Sequence, residues 1–302
     1  MIRTRRKCLT YIFHYVMKQI DFKSHDWENA RIVLDFFKQP TTCFDSGGLL
    51  KVQPKYVVAI DDDMISAFYA ATIMKYAKRQ FGKYPKLLCV GGIGMLSKYM
   101  NRLDDGTVLS EGMKLRMTAM KLGDFPVSVL DGGNNTGANL KEIIDYLAAR
   151  HDEAEPIVFC PTQRLSKRLE RTIAYTIKQF PGTQSLNAYY YVPDESIADM
   201  CQLYNGKALA GGLPLLSEAA AVYDRVGTEK YVGKYMAQFD GMIPKEVHIA
   251  GQQLMQKYPI RVSRTPLKAP VQFLKMYFGV LKYQKDIAQD LEQMVLLWKQ
   301  QV

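Results

Sequence analysis

The chain has 302 residues, is 48% hydrophobic and 23% charged, and carries a formal net charge of +10. With 21 Gly and 13 Pro, collagen-like, low-complexity and largely disordered classes are excluded, and the length allows one large domain or two ordinary ones. No run reaches the roughly 18 uninterrupted apolar residues a membrane-spanning helix needs. The basic start, Met1 to Lys7, is followed by an apolar stretch that contains Thr10 and His14 and lacks a small-residue cleavage site, so export is not expected.

The charge is unevenly placed. Residues 1–55 hold 10 basic and 5 acidic side chains, residues 56–204 hold 17 of each, and residues 205–302 hold 13 and 8. A nucleic-acid-binding core carries its own basic footprint, and this neutral middle argues against one. The five cysteines (8, 43, 89, 160 and 201) have neither disulfide-framework nor zinc spacing, and the four histidines are scattered. These features predict a reduced, cytoplasmic protein.

In chain order, residues 8–40 carry helical spacing, and 40–48 form a loop. A β-branched strand at 55–60 leads into a helix at 64–79. A second strand, 86–90, ends in Gly91-Gly92-Ile93-Gly94 and is followed by a helix at 110–122. A third, 127–130, runs into Asp131-Gly-Gly-Asn-Asn-Thr-Gly137 and a helix to 150. A fourth, 156–160, reaches Pro161-Thr162 and a helix through 180, and a fifth spans 186–192. Helical patterns return at 214–223, 245–257 and 287–300. Continuous apolar strands alternating with helices predict a Rossmann-like α/β fold, a parallel sheet with helices on both faces. The expected organisation is a helical extension at 1–54, a Rossmann-like domain at 55–205 and a helical region at 206–302 packed on it.

In such a sheet the loops after successive strands line one edge. Gly91, Gly92 and Gly94 let backbone amides approach phosphate, carboxylate or a nucleoside without an intervening Cβ, or simply make a tight turn. Asn135 or Thr136 can cap the next helix, or face a ligand beside its positive end. Arg168, on the helix after Thr162 with Gln163, Arg164 and Lys167, is either a solvated charge or an anion clamp. Asp61-Asp62-Asp63 is either an acidic helix start or a Mg²⁺ site. Ser110-Glu111 opens its helix as a cap.

Taken together, Val90-Gly91-Gly92-Ile93-Gly94, Ser110-Glu111, Asn135-Thr136-Gly137-Ala138-Asn139, and Pro161-Thr162 with Arg168 resemble in order and spacing the YdcF/SanA/ElyC family of bacterial proteins. The segment Ile243-Pro244-Lys245-Glu246-Val247 looks like the closing part of its YdcF branch. The resemblance covers about residues 55–250. It implies a Rossmann-like domain associated with S-adenosylmethionine, with Gly91, Gly92, Ile93, Gly94, Ser110, Glu111, Asn135, Thr136, Asn139, Thr162 and Arg168 around the ligand. Three departures weaken a catalytic role more than a binding one: Ala138 stands where relatives have Glu, the histidine many carry after the fourth strand is absent, and Asp61–Asp63 replace small residues.

Three functions compete. The first is a nucleoside-type ligand binder, S-adenosylmethionine foremost, with possible transferase activity. The second is a metal-assisted hydrolase or transferase of a phosphorylated envelope precursor, using Asp61–Asp63, Glu111 and Arg168 with Mg²⁺, in which Glu111 and Asp61 are the candidate catalytic groups. The third is an interaction protein working through the basic segment 247–285, which has seven Lys or Arg and no Asp or Glu.

Overall fold

The computed structural model describes residues 25–60, 65–94, 103, 105–178, 186–194, 219–220, 222–223 and 242–257. Helix α1 (His25–Phe36) precedes the alternating region: β1 (Tyr56–Ile60), α2 (Ile65–Phe81), β2 (Lys86–Val90), α3 (Glu111–Leu122), β3 (Val127–Leu130), α4 (Thr136–Ala148), β4 (Ile157–Phe159), α5 (Gln163–Ile177) and β5 (Ala188–Tyr190). Helix α6 (Lys245–Lys257) comes last.

The five strands form one sheet in the order β3-β2-β1-β4-β5, every pairing parallel. This is the doubly wound arrangement expected from the sequence. Its physical basis is visible in β1, where all five residues are buried and successive side chains enter different cores. Val57 and Ala59 pack with α2 and α3 around Phe68, Ile73, Met74 and Leu115. Tyr56, Val58 and Ile60 face α4 and α5 through Leu140, Ile143, Leu169 and Ile173.

The expected fourth and fifth strands are longer than those observed. Pro156 has no amide to donate, so β4 begins after it, although its carbonyl accepts from Lys55 N at 2.9 Å. Beside β5 the chain covers the sheet edge with Thr41 and Thr42. Thr42 N donates to Tyr190 O at 2.8 Å, Tyr190 N to Thr42 Oγ1 at 2.9 Å, and Val192 N to Thr41 Oγ1 at 3.0 Å. An edge satisfied this way does not recruit another strand.

A separate apolar cluster joins the two ends of the described chain. Trp27, Ala30, Val33, Leu34 and Phe37 pack against Ala219, Ala220, Val222, Tyr223, Val247, Ala250 and Leu254. This cluster is tied to the sheet domain at α5. Lys167 Nζ donates to Phe36 O at 2.8 Å, Lys167 N to Phe37 O at 3.1 Å, and Gln39 N to Ser166 Oγ at 2.8 Å. Lys167 therefore closes the carbonyl end of α1, where a cation is favoured.

At the amino-terminal edge of the sheet, Asp152 takes Lys55 Nζ and the Tyr56 hydroxyl, each at 2.5 Å. The Lys55 and Tyr56 contacts hold its carboxyl below the usual carboxylate range. No helix among the described residues is long and apolar enough to cross a membrane. The part of the expected 8–40 helical segment before His25, residues 214–218 and 221 of the helix expected at 214–223, the helix expected at 287–300 and the basic stretch beyond 257 lie outside the described residues.

Candidate functional site

The loops after β2, β3 and β4, with the amino termini of α3, α4 and α5, meet at the carboxyl-terminal edge of the sheet, as parallel crossovers require. Gly91 and Gly92 sit where the β2 and β3 loops touch. Gly91 N donates to Leu130 O at 2.8 Å and Gly92 N to Gly133 O at 2.6 Å. Their carbonyls accept from the first turn of α3, Gly92 O from Glu111 N at 3.1 Å and Gly91 O from Gly112 N at 2.7 Å.

This geometry corrects one expectation. The amides of Gly91 and Gly92 are bonded to the β3 side of the protein and are not the ligand-facing donors the sequence suggests. Glycine is required all the same. Gly91 has φ of +143°, and a Cβ there would lie 2.7 Å from Glu111 Cβ. A Cβ on Gly92 would stand 2.2 Å from Gly133 O and 2.5 Å from Asp131 O. A side chain such as valine at Gly92 would therefore disturb the fold, because the obstruction is backbone, which cannot rotate away.

Ser110 caps α3 as expected, accepting from Met113 N at 3.1 Å, and its hydroxyl donates to Asp131 Oδ2 at 3.3 Å. The Glu111 side chain lies over Gly91, with Oε2 2.8 Å from where a Cβ would be. Asn135 caps α4, its Oδ1 accepting from Ala138 N at 3.0 Å. Beside this cap, Arg168 Nη2 on α5 donates to Thr136 Oγ1 at 2.7 Å. The guanidinium thus stands at the positive end of α4, and two residues 32 apart in sequence form one feature. Asn139, one turn on, is 5% exposed, and its Oδ1 has no hydrogen-bond partner among the described residues.

Thr162 caps α5 with backbone geometry but without a side-chain cap bond, and it is buried. Ile93 is exposed and Gly94 buried. Asp61, Asp62 and Asp63 lie outside the described residues. The structure therefore brings Gly91, Gly92, Ser110 and Glu111 together through the Asp131–Gly133 loop, and joins Thr136 to Arg168 at the start of α4. Lys167, grouped with Arg168 in the sequence reading, belongs to the α1 junction instead.

Two residues were not foreseen. Ser66, fully buried in the first turn of α2, accepts from Ile60 N at 2.9 Å and donates to Cys160 O at 2.6 Å. It ties together the ends of β1 and β4, where the strand order reverses and doubly wound sheets usually open a crevice. Glu142 takes the amides of the β3 loop: Gly132 N donates to Oε1 at 3.0 Å and Gly133 N to Oε2 at 3.1 Å. Glu142 stands one helical turn beyond Ala138, on the same face of α4.

Burial pushes the Cys43 and Cys89 thiols up to about 12 and raises Cys160 as well, which makes all three inert packing residues rather than nucleophiles. An open hollow of about 520 Å³ lies toward β5, lined by Asp35, Lys38, Pro40, Thr41, Val192 and Asp194, none of them singled out from the sequence. The Lys38–Asp194 ion pair spans it. No family model matches the chain, and no curated protein matches it either.

Proposed function

We propose that the chain binds a small nucleoside-type ligand bearing an anionic group at the carboxyl-terminal edge of its sheet, with S-adenosylmethionine the first candidate through the YdcF-type resemblance. One observation carries the reading: Arg168 donates to Thr136 at the amino terminus of α4, so a guanidinium, a hydroxyl and a helix end converge. That combination favours a carboxylate or phosphate oxygen, because the helix end and the guanidinium both stabilise negative charge. The methionine carboxylate would be held there by Arg168 and Thr136, and the exposed Ile93 supplies an apolar surface near the β2 loop for a base. The Gly91 and Gly92 amides take no part, since both are bonded within the protein.

A thermal-shift panel of S-adenosylmethionine, S-adenosylhomocysteine, nucleotides and sugar nucleotides, each with and without Mg²⁺, tests the proposal. Metal-independent stabilisation by both S-adenosyl compounds supports it, since a ligand that binds only the folded state raises the unfolding temperature. Stabilisation only by a nucleotide or sugar phosphate with Mg²⁺ would replace it with the hydrolase reading.

A further inference from the structure

The contact between Glu142 and the β3 loop suggests a second anion site. Two successive loop amides converge on one carboxylate, with Gly132 N reaching Oε1 at 3.0 Å and Oε2 at 3.1 Å and Gly133 N reaching Oε2 at 3.1 Å. Successive amides aimed at a common point form a concavity that binds anions. A second observation points to the same place. Asn139 is 5% exposed, its Oδ1 has no hydrogen-bond partner among the described residues, and that oxygen packs so closely on Gly133 that a Cβ there would lie 2.2 Å from it. A buried acceptor without a donor carries a desolvation cost that an arriving N–H or O–H would remove.

We infer that the Gly132–Gly133 amides and Asn139 form a binding site for the carboxylate end of an α-hydroxy or α-amino acid, with Glu142 as a built-in competitor for the same amides. The ligand carboxylate takes the position of the Glu142 oxygens, and its neighbouring hydroxyl or ammonium donates to Asn139 Oδ1 once the β3 loop shifts off that oxygen, which is covered beside Gly133 in this structure. Glu142 reaches the loop from two turns into α4, so it can leave the amides by side-chain rotation without unfolding the helix. This site goes beyond the nucleoside reading and does not depend on it, since it lies on the β3 loop and not at Arg168.

Competition makes the test direct. Thermal unfolding of the full chain and of Glu142→Ala is followed in about 100 mM sodium glycolate, acetate or chloride, at matched ionic strength and pH, a concentration that reveals weak ligands. In Glu142→Ala, glycolate is expected to raise the unfolding temperature by about 2–5 °C over chloride, and acetate by less, because only glycolate has a hydroxyl for Asn139. In the natural chain, where Glu142 holds the amides, neither should exceed chloride by more than about 1 °C. Should Glu142→Ala fail to fold, Glu142→Gln keeps the bulk and one acceptor oxygen, and the same order with smaller shifts is expected. Equal effects of acetate and glycolate would overturn the hydroxy- or amino-acid assignment. No gain over chloride in the variant would overturn the site itself, leaving Glu142 a brace for the β3 loop. Both results leave the Arg168 proposal untouched, because neither probe is a nucleoside.

Discussion

Replacing Gly92 by alanine distinguishes a glycine that admits a ligand from one that admits a neighbouring loop. The new Cβ would stand 2.2 Å from Gly133 O and 2.5 Å from Asp131 O. An ordinary carbon–oxygen contact is longer by about 1 Å, and both obstacles are backbone, so the β3 loop must retreat by about that distance. Overpacking of this kind costs about 1–3 kcal/mol. The retreat also breaks the Gly92 N to Gly133 O bond of 2.6 Å, which adds about 0.5–1.5 kcal/mol. Together the loss is about 1.5–4.5 kcal/mol. Urea unfolding followed by circular dichroism measures it as a lower midpoint at unchanged slope. A Gly92→Ala variant within about 0.5 kcal/mol of the natural chain would refute the packing described here and restore the loop as an open ligand approach.

Three further predictions concern the frame of the site. Ser66→Ala strips the buried Ile60 N and Cys160 O of their shared partner and should cost about 2–3 kcal/mol by calorimetry; a neutral result would show that the β1–β4 junction does not rely on it. Asp152→Asn should cost about 1–2 kcal/mol at neutral pH. Because the folded carboxyl is held below its unfolded value of about 3.9, its stabilisation is complete above that pH and is lost as pH falls through the lowered value, so the urea midpoints of variant and natural chain should converge in acid and stay apart at pH 7. Lys167→Met keeps apolar bulk over the Phe36 ring but removes the bond to Phe36 O; hydrogen exchange should quicken in the last turn of α1 while the sheet is unaffected.

The sheet was legible because its signals are local. The runs 86–90 and 127–130 coincide with β2 and β3, and the caps Ser110 and Asn135 stand where short polar side chains precede apolar periodicity. What escaped the sequence is made of bonds across the fold. Ser66 meets Cys160 from 94 residues away and Lys167 meets Phe36 from 131, and no spacing rule links such pairs. The glycines of this loop suggest ligand approach or a tight turn, but the group they admit is the β3 loop, whose position relative to β2 depends on strand order. Glu142 carried a faint signal, as an acidic residue seven positions beyond the α4 cap on the face that returns to its start. Arg168 meets Thr136 only through the adjacent packing of α4 and α5, which no local pattern encodes.

The proposed role of Arg168 and the start of α4 is to hold the anionic group of a nucleoside-type ligand. Calorimetric titration of S-adenosylmethionine into the natural chain and into Arg168→Ala, without added metal, tests it most directly. Metal-free binding by the natural chain is expected, weakened in the variant by about 1.5–3 kcal/mol, or roughly tenfold to hundredfold, with the unfolding temperature nearly unchanged. Equal affinity in the two proteins, or no binding by either, would contradict it.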